Sequence, residues 1–311
     1  GRGVVHPLDN YWLSRNALDC ITQNREKILM AYIRFTFDTK KLKIEPYINL
    51  YPLPCMHVGA AQCDMEFLKD HLDRIEEDLN ARVVYMGDGG ECVTKYSKGE
   101  IYKQLCSPQR QQDILVDLLT PIKSKILFGI RGNHGNRIFK ETGLSFDKTL
   151  CTAVGIPYLG PAAMANIVVN RSSYDTYFHH GIDSGVSLST KIAKAESFSK
   201  FINADAIFTA HSHVALDLQP SALIEADNDN AKTKVRMRHQ YICGSAYDSR
   251  TGYAEEKGYP PLLPSYIVVG FDGRIAGGHA KYGQESHVWR SEGKRDLHHD
   301  YLLDYLDTEE S

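Results

Sequence analysis

Between residues 47 and 213 the chain repeatedly runs a β-rich apolar stretch straight into a loop of histidine, aspartate or asparagine. "YINLYPL" leads to Cys55 and His57, "RVVYMG" to Asp88, "KILFGI" to Asn133 and His134, "YDTYF" to His179 and His180, and "AIFTA" to His211 and His213. Stretches of helical pattern lie between them. In "DMEFLKDHLDRIEEDLN", Phe67, Leu68, Leu72, Ile75 and Leu79 fall on one predicted helical face, and "RQQDILVDLLTPI" and "TKIAKAESFSKFIN" read similarly. Strands alternating with helices predict an α/β fold. In such folds the loops beyond the carboxyl ends of strands bring distant residues together.

The ends of the chain read differently. Residues 1–30 carry "ALDCITQNREKILMAY", expected to be a docking helix, and residues 290–311 an acidic tail, leaving 31–289 as the main domain. No apolar stretch approaches the roughly 20 residues of a membrane span, and the N-terminus lacks a signal-peptide pattern. Seven cysteines, an odd number, fit a reducing compartment, so a cytoplasmic location is expected. A net charge of −3 gives no global attraction to nucleic acid, so any such contact must be local.

One histidine after a strand is more often a hydrogen-bonded structural residue than a ligand. Several such loops repeating the pattern point to a metal centre. Imidazole and carboxylate suit Zn, Fe and Mn, and two ions about 3.5–4 Å apart need a shared carboxylate, for which Asp88 is the natural bridge.

The segments "GDGGE" (87–91), "GNH" (132–134), "HHG" (179–181) and "AHSH" (210–213) resemble, in order and spacing, the calcineurin-like metallophosphoesterase family, from about residue 46 to residue 285. The similarity is greatest to phage- and prophage-type single-domain members, for which the host cytoplasm would be the location. The resemblance implies a four-layer αββα sandwich of two mixed β-sheets and two divalent metal ions, Mn, Fe or Zn. It implies that His57, Asp88 and His213 hold one ion, and that Asp88, Asn133, His180 and His211 hold the other. His134 would protonate the leaving alkoxide or stabilise phosphoryl charge, with Glu91 orienting it. His179 is expected on the opposite face of its strand.

Three positions depart from the family pattern. Ala210 replaces a glycine, Gly135 replaces the acidic residue after the GNH triplet, and Cys55 stands where an aspartate is usual. Period-two alternation in a strand would put Cys55 beside His57 on one face. Two readings of Cys55 stay open: a buried small hydrophobe, or a thiolate ligand favouring Zn or Fe. Lariat-debranching enzymes of the same family also carry cysteine there, but the rest of their signature is absent.

The reaction so implied is hydrolysis of a phosphoester, foremost a phosphodiester of nucleic acid or a nucleotide. The alternatives are a phosphomonoesterase acting on protein or a small metabolite, and a catalytically impaired metal-binding scaffold. Lys95, Lys98, Arg131, Arg137, Lys191 and Lys194 flank the motifs. Arg137, close to His134, is the one expected to bind substrate.

Overall fold

The computed structural model describes residues 30–95, 104–182, 185–227, 232–250, 258, 260–274 and 284–290. The expected docking helix and the acidic tail lie outside these, apart from residues 30 and 290. Eleven strands are present among the described residues: β1 (Ala31–Phe37), β2 (Tyr47–Leu53), β3 (Ala81–Tyr85), β4 (Ile126–Gly129), β5 (Ala162–Val169), β6 (Ser172–His179), β7 (Ala206–Thr209), β8 (Ala215–Asp227), β9 (Lys232–Ser245), β10 (Ser265–Asp272) and β11 (Gln284–Arg290). The helices are α1 (Thr39–Leu42), α2 (Met65–Glu77), α3 (Pro108–Leu119), α4 (Gly135–Thr142), α5 (Phe146–Val154) and α6 (Leu188–Ser197).

The strands follow one hydrogen-bonded path, β1-β5-β6-β7-β9-β10-β2-β3-β4, with β8 beside β9 and β11 beside β10. The path folds into two sheets joined where β9 meets β10 at Gly244 and Ser245. Both are mixed: β2, β3 and β4 run parallel while β10 is antiparallel to β2, and β6, β7 and β9 run parallel while β5 is antiparallel to β6.

Between the sheets Ile48, Leu50, Val84 and Phe128 pack against Phe35, Ile167, Phe178 and Phe208. On one outer face α2, α3 and α5 bury Leu68, Leu72, Ile75, Ile114, Leu115 and Leu150 against Leu53, Val83 and Tyr85. On the other, Ala195 of α6 meets Leu218 and Ile242, and Phe198 just beyond it meets Tyr177 and Ile207. The chain is therefore a four-layer αββα sandwich. Each fully buried Leu or Ile contributes roughly 1.5–3 kcal/mol. No described helix is long and apolar enough to cross a membrane.

Local chemistry sets the ends of the helices. Asp64 caps α2 by accepting the Phe67 N–H at 3.0 Å. The helix stops at Glu77, because Asp78 turns out to accept from the Asn80 N–H, the Asn49 amide and the Tyr51 hydroxyl. Leu79 consequently falls outside the buried face, at 70% exposure, and His71 is buried in that face instead. "RGNHGNR" is not all loop either: α4 begins at Gly135, so Arg137 stands in its first turn, with its N–H on the His134 carbonyl at 2.9 Å.

Candidate metal centre

β2 ends at Leu53, and the segment that follows runs beside the loop after β3. The Met86 N–H donates to Leu53, Cys55 to Gly87, His57 to Asp88 and Val58 to Gly89, at 2.8–3.1 Å. Cys55, His57 and Asp88 all have left-handed backbone, with φ of 50°, 52° and 55°. Strand alternation therefore does not place Cys55 beside His57: both sit on left-handed backbone beyond the end of β2, and it is this turned segment that brings them together. His211 and His213 share this conformation, at 67° and 57°. Such residues cost of order 1–3 kcal/mol each, and they persist where the surroundings over-determine them. Here the surroundings include a close glycine contact: a Cβ on Gly87 would collide with the backbone of Gly132, and one on Gly132 with Asp88.

These loops converge. The ligating atoms of Cys55, His57 and His213 all lie within 4.8 Å of one another, as do those of Cys55, Asp88 and His180, and those of His57, Asp88 and His134. Cys55 and Asp88 each belong to two of the three sets, and Cys55 is 0% exposed. The His211 ring lies 5.5 Å from that of His180, and its Nδ1 is buried without a hydrogen bond. Asn133, in the loop between β4 and α4, is exposed.

Hydrogen bonds fix where each ring carries its hydrogen. His180 Nδ1 donates to the Met86 carbonyl at 2.6 Å, and His57 Nδ1 donates to Glu91 Oε2 at 2.8 Å. Both Nε2 atoms are thereby turned inward. His57 Nε2 meets His213 Nε2 at 3.0 Å, and His180 Nε2 meets Asp88 Oδ2 at 2.8 Å. The last pair is a buried ion-pair contact when His180 is protonated, and neither atom has any other partner. Buried polar atoms are nearly always satisfied. Convergent imidazole and carboxylate atoms with no further partner are a donor set for a cation.

Charge follows the same geometry. Burial pushes the Cys55 thiol up, but the charge of His180 and hydrogen bonds with His180, His213 and His57 bring it well below its usual value. Burial also opposes ionisation of Asp88, and His180, His134 and His57 outweigh it, holding that carboxyl well below the ordinary range. Burial and the charge of His180 lower His211 to about 4. Thiolate, carboxylate and imidazole together suit Zn or Fe better than Mg, and an ion would take the place of the protons that otherwise hold the cluster together. The residues fit a transition-metal centre.

His134 differs from its neighbours. Its Nδ1 donates to the Glu91 carbonyl at 2.8 Å, and its Nε2 accepts from Arg137 at 3.0 Å, so neither nitrogen is orphaned. The carboxylate of Glu91 bonds His57 at 2.8 Å and stands 3.4 Å from His134 Nδ1. Glu91 thus touches both rings, its carboxylate bonding His57 and its carbonyl accepting from His134. Burial resists charge on Glu91, but His134 and His57 hold its carboxyl well below the ordinary range.

The remaining candidates sort plainly. His179 accepts the Gly181 N–H at 2.8 Å and packs on Phe198, away from the three ligand sets. Lys191 donates to the Ser212 carbonyl at 2.8 Å and so braces the loop carrying His211 and His213. Lys95 and Lys194 are exposed, and Lys98 lies outside the described residues. Tyr247 went unnoticed in the sequence: its ring centroid is 5.3 Å from those of both His57 and His213. Only its place after β9 could have suggested it.

No family model matches this chain, and no curated protein does. Among solved structures it is similar to Vacuolar Protein Sorting 29 from Cryptosporidium parvum, at 12% identity over 79% of this chain and 97% of that one, with a TM-score of 0.36. A metallophosphoesterase from Sphaerobacter thermophilus matches at 12% identity, 79% and 89% coverage and a TM-score of 0.38. A predicted phosphoesterase from Streptococcus pneumoniae TIGR4 gives 12%, 79% and 98%, and 0.31. At such TM-scores these likenesses add nothing to what the chain's own geometry says about the site.

Proposed function

We propose that the chain is a metal-dependent phosphoester hydrolase with a dinuclear centre, acting foremost on phosphodiesters of nucleic acid or nucleotides. The observation that carries this reading is the convergence of three ligand sets linked pairwise through Cys55, His57 and Asp88. His57, Asp88, His213 and Cys55 would hold one ion, and Asp88, His180, His211 and Asn133 the other. When bound, such ions neutralise phosphoryl oxygens and make a water nucleophilic near neutral pH.

The chain's own groups do the rest. Glu91 and the Met86 carbonyl keep hydrogen on the Nδ1 atoms of His57 and His180, leaving each Nε2 to bind. Arg137 occupies His134 Nε2 in this arrangement. A phosphate oxyanion offers the guanidinium a bidentate partner, and drawing Arg137 onto it would free His134 Nε2 to take a proton from water and pass it to the departing alkoxide.

The test is metal analysis of purified protein, followed by hydrolysis of bis-nitrophenyl phosphate and of nitrophenyl phosphate with Mn, Fe, Zn or no added metal. Bound Zn or Fe with metal-stimulated cleavage of the diester is expected. Faster cleavage of the monoester would make the chain a phosphomonoesterase, and bound metal without hydrolysis would make it a scaffold.

A further inference from the structure

Gly135 stands where the GNH triplet is expected to be followed by an acidic side chain. A Cβ placed on Gly135 would lie 2.5 Å from Asp147 Oδ2. The space beside residue 135 is therefore filled by a carboxylate that arrives from α5, 12 positions further along the chain.

Asp147 is 1% exposed, and both its oxygens are used. Oδ2 accepts the N–H of Gly132, which opens the GNH turn, at 3.2 Å. Oδ1 accepts the Tyr85 hydroxyl at 2.6 Å, and the Tyr85 oxygen in turn accepts the Gly89 N–H at 3.1 Å. One carboxylate thus pins both loops of the centre: the one bearing Asn133 and His134, and the one bearing Asp88 and Glu91. The two loops meet again where Asp88 Oδ1 accepts the His134 N–H at 2.7 Å. Tyr85, Gly89 and Gly132 are all buried, so solvent offers no substitute for these bonds.

We propose that Asp147 is a positioning residue for the metal centre, supplying from α5 the carboxylate that residue 135 lacks and holding the Asp88 and Asn133 loops at ligating distance. The proposal rests on the metal-centre reading. Groups that orient metal ligands typically change metal affinity roughly 10–100-fold when lost.

Asp147→Asn keeps the shape, but its amide nitrogen cannot accept the Gly132 N–H while the amide oxygen faces Tyr85. Affinity is measured by titrating metal-stripped protein with Zn or Co, and stability by thermal unfolding of the stripped protein. Asp147→Asn is expected to bind metal about 10–100-fold more weakly, alongside a lower melting point of the stripped protein from the Gly132 N–H left without an acceptor. The Gly135→Asp, Asp147→Ala double variant, which returns a carboxylate to the same space from the other side, is expected to regain affinity over Asp147→Ala alone. Wild-type affinity in Asp147→Asn would overturn the proposal. So would weakened affinity with no recovery in the double variant, which would mark Asp147 as purely structural. Wild-type protein that takes up no metal would overturn the metal-centre reading itself, and the proposal with it.

Discussion

His180 Nε2 and Asp88 Oδ2 face each other 2.8 Å apart, buried, with no other partner on either atom. His180 is held in this pose by the Met86 carbonyl on its far nitrogen, and Asp88 by the His134 N–H on its other oxygen. Each group is therefore aimed by one partner and left open toward the other, the arrangement expected of two ligands to one ion.

Asp88→Asn retains an oxygen for the His134 N–H but removes the charge and replaces the oxygen facing His180 with an amide nitrogen. If Asp88 is shared as proposed, between the ion held by His57 and His213 and the one held by His180 and His211, the variant should affect both. Metal retained per chain after desalting should fall below half of the wild-type value. Full retention would show that Asp88 is not shared.

His134→Ala should leave metal content unchanged and lower turnover of the diester by roughly 10²–10⁴-fold, the usual contribution of a positioned general acid. The reason is that both His134 nitrogens are already engaged by Glu91 and Arg137. An emptied site in this variant, measured by metal analysis, would instead make His134 a ligand.

Glu91→Gln tests the orientation of His57. The amide can no longer accept as a charged partner for His57 Nδ1–H, so the variant should lose metal affinity by about 10–100-fold. A change confined to turnover, with metal titration as in wild type, would return Glu91 to service of His134.

The alternation of strands and helices, the α2 face around Leu68, Leu72 and Ile75, and the loops that carry the candidate ligands were legible in the sequence, because burial imposes periods of two and 3.6 residues on strands and helices; the two-sheet sandwich was implied by the family resemblance, and the order of the strands was not legible. The backbone of the centre was not. Of the eight described non-glycine residues with positive φ, five are Cys55, His57, Asp88, His211 and His213, and nothing in their types announces it. Asp147 was hidden for a different reason: it belongs to the site through Gly132 and Tyr85, and the approach of α5 to Gly135 is a tertiary fact. Leu79 misled because periodicity continues past the point where Asp78 ends the helix.

His71 gives a prediction about stability away from the metal centre. It is buried in α2 among Tyr51, Phe67 and Tyr266, and neither ring nitrogen has a hydrogen bond. Burial, reinforced by the charge of Arg74, lowers its pKa to about 3. Burial also raises the pKa values of Tyr51 and Tyr266, so neither tyrosine titrates in the acid range. In the unfolded chain His71 takes a proton near its ordinary value of about 6.5, whereas the folded protein refuses it until about pH 3. The unfolded state therefore binds more protons across that window. Stability is fully present above pH 6.5 and falls as the pH drops toward 3, by at most about 1.4 kcal/mol per pH unit from this group. His71→Phe keeps a ring in the aromatic cluster and removes both orphaned nitrogens. It should raise the denaturation midpoint at pH 7 and flatten the decline between pH 6.5 and 4. Denaturant titrations of metal-stripped protein across that range decide it: parallel curves for the variant and wild type would mean that His71 already takes a proton in the folded state.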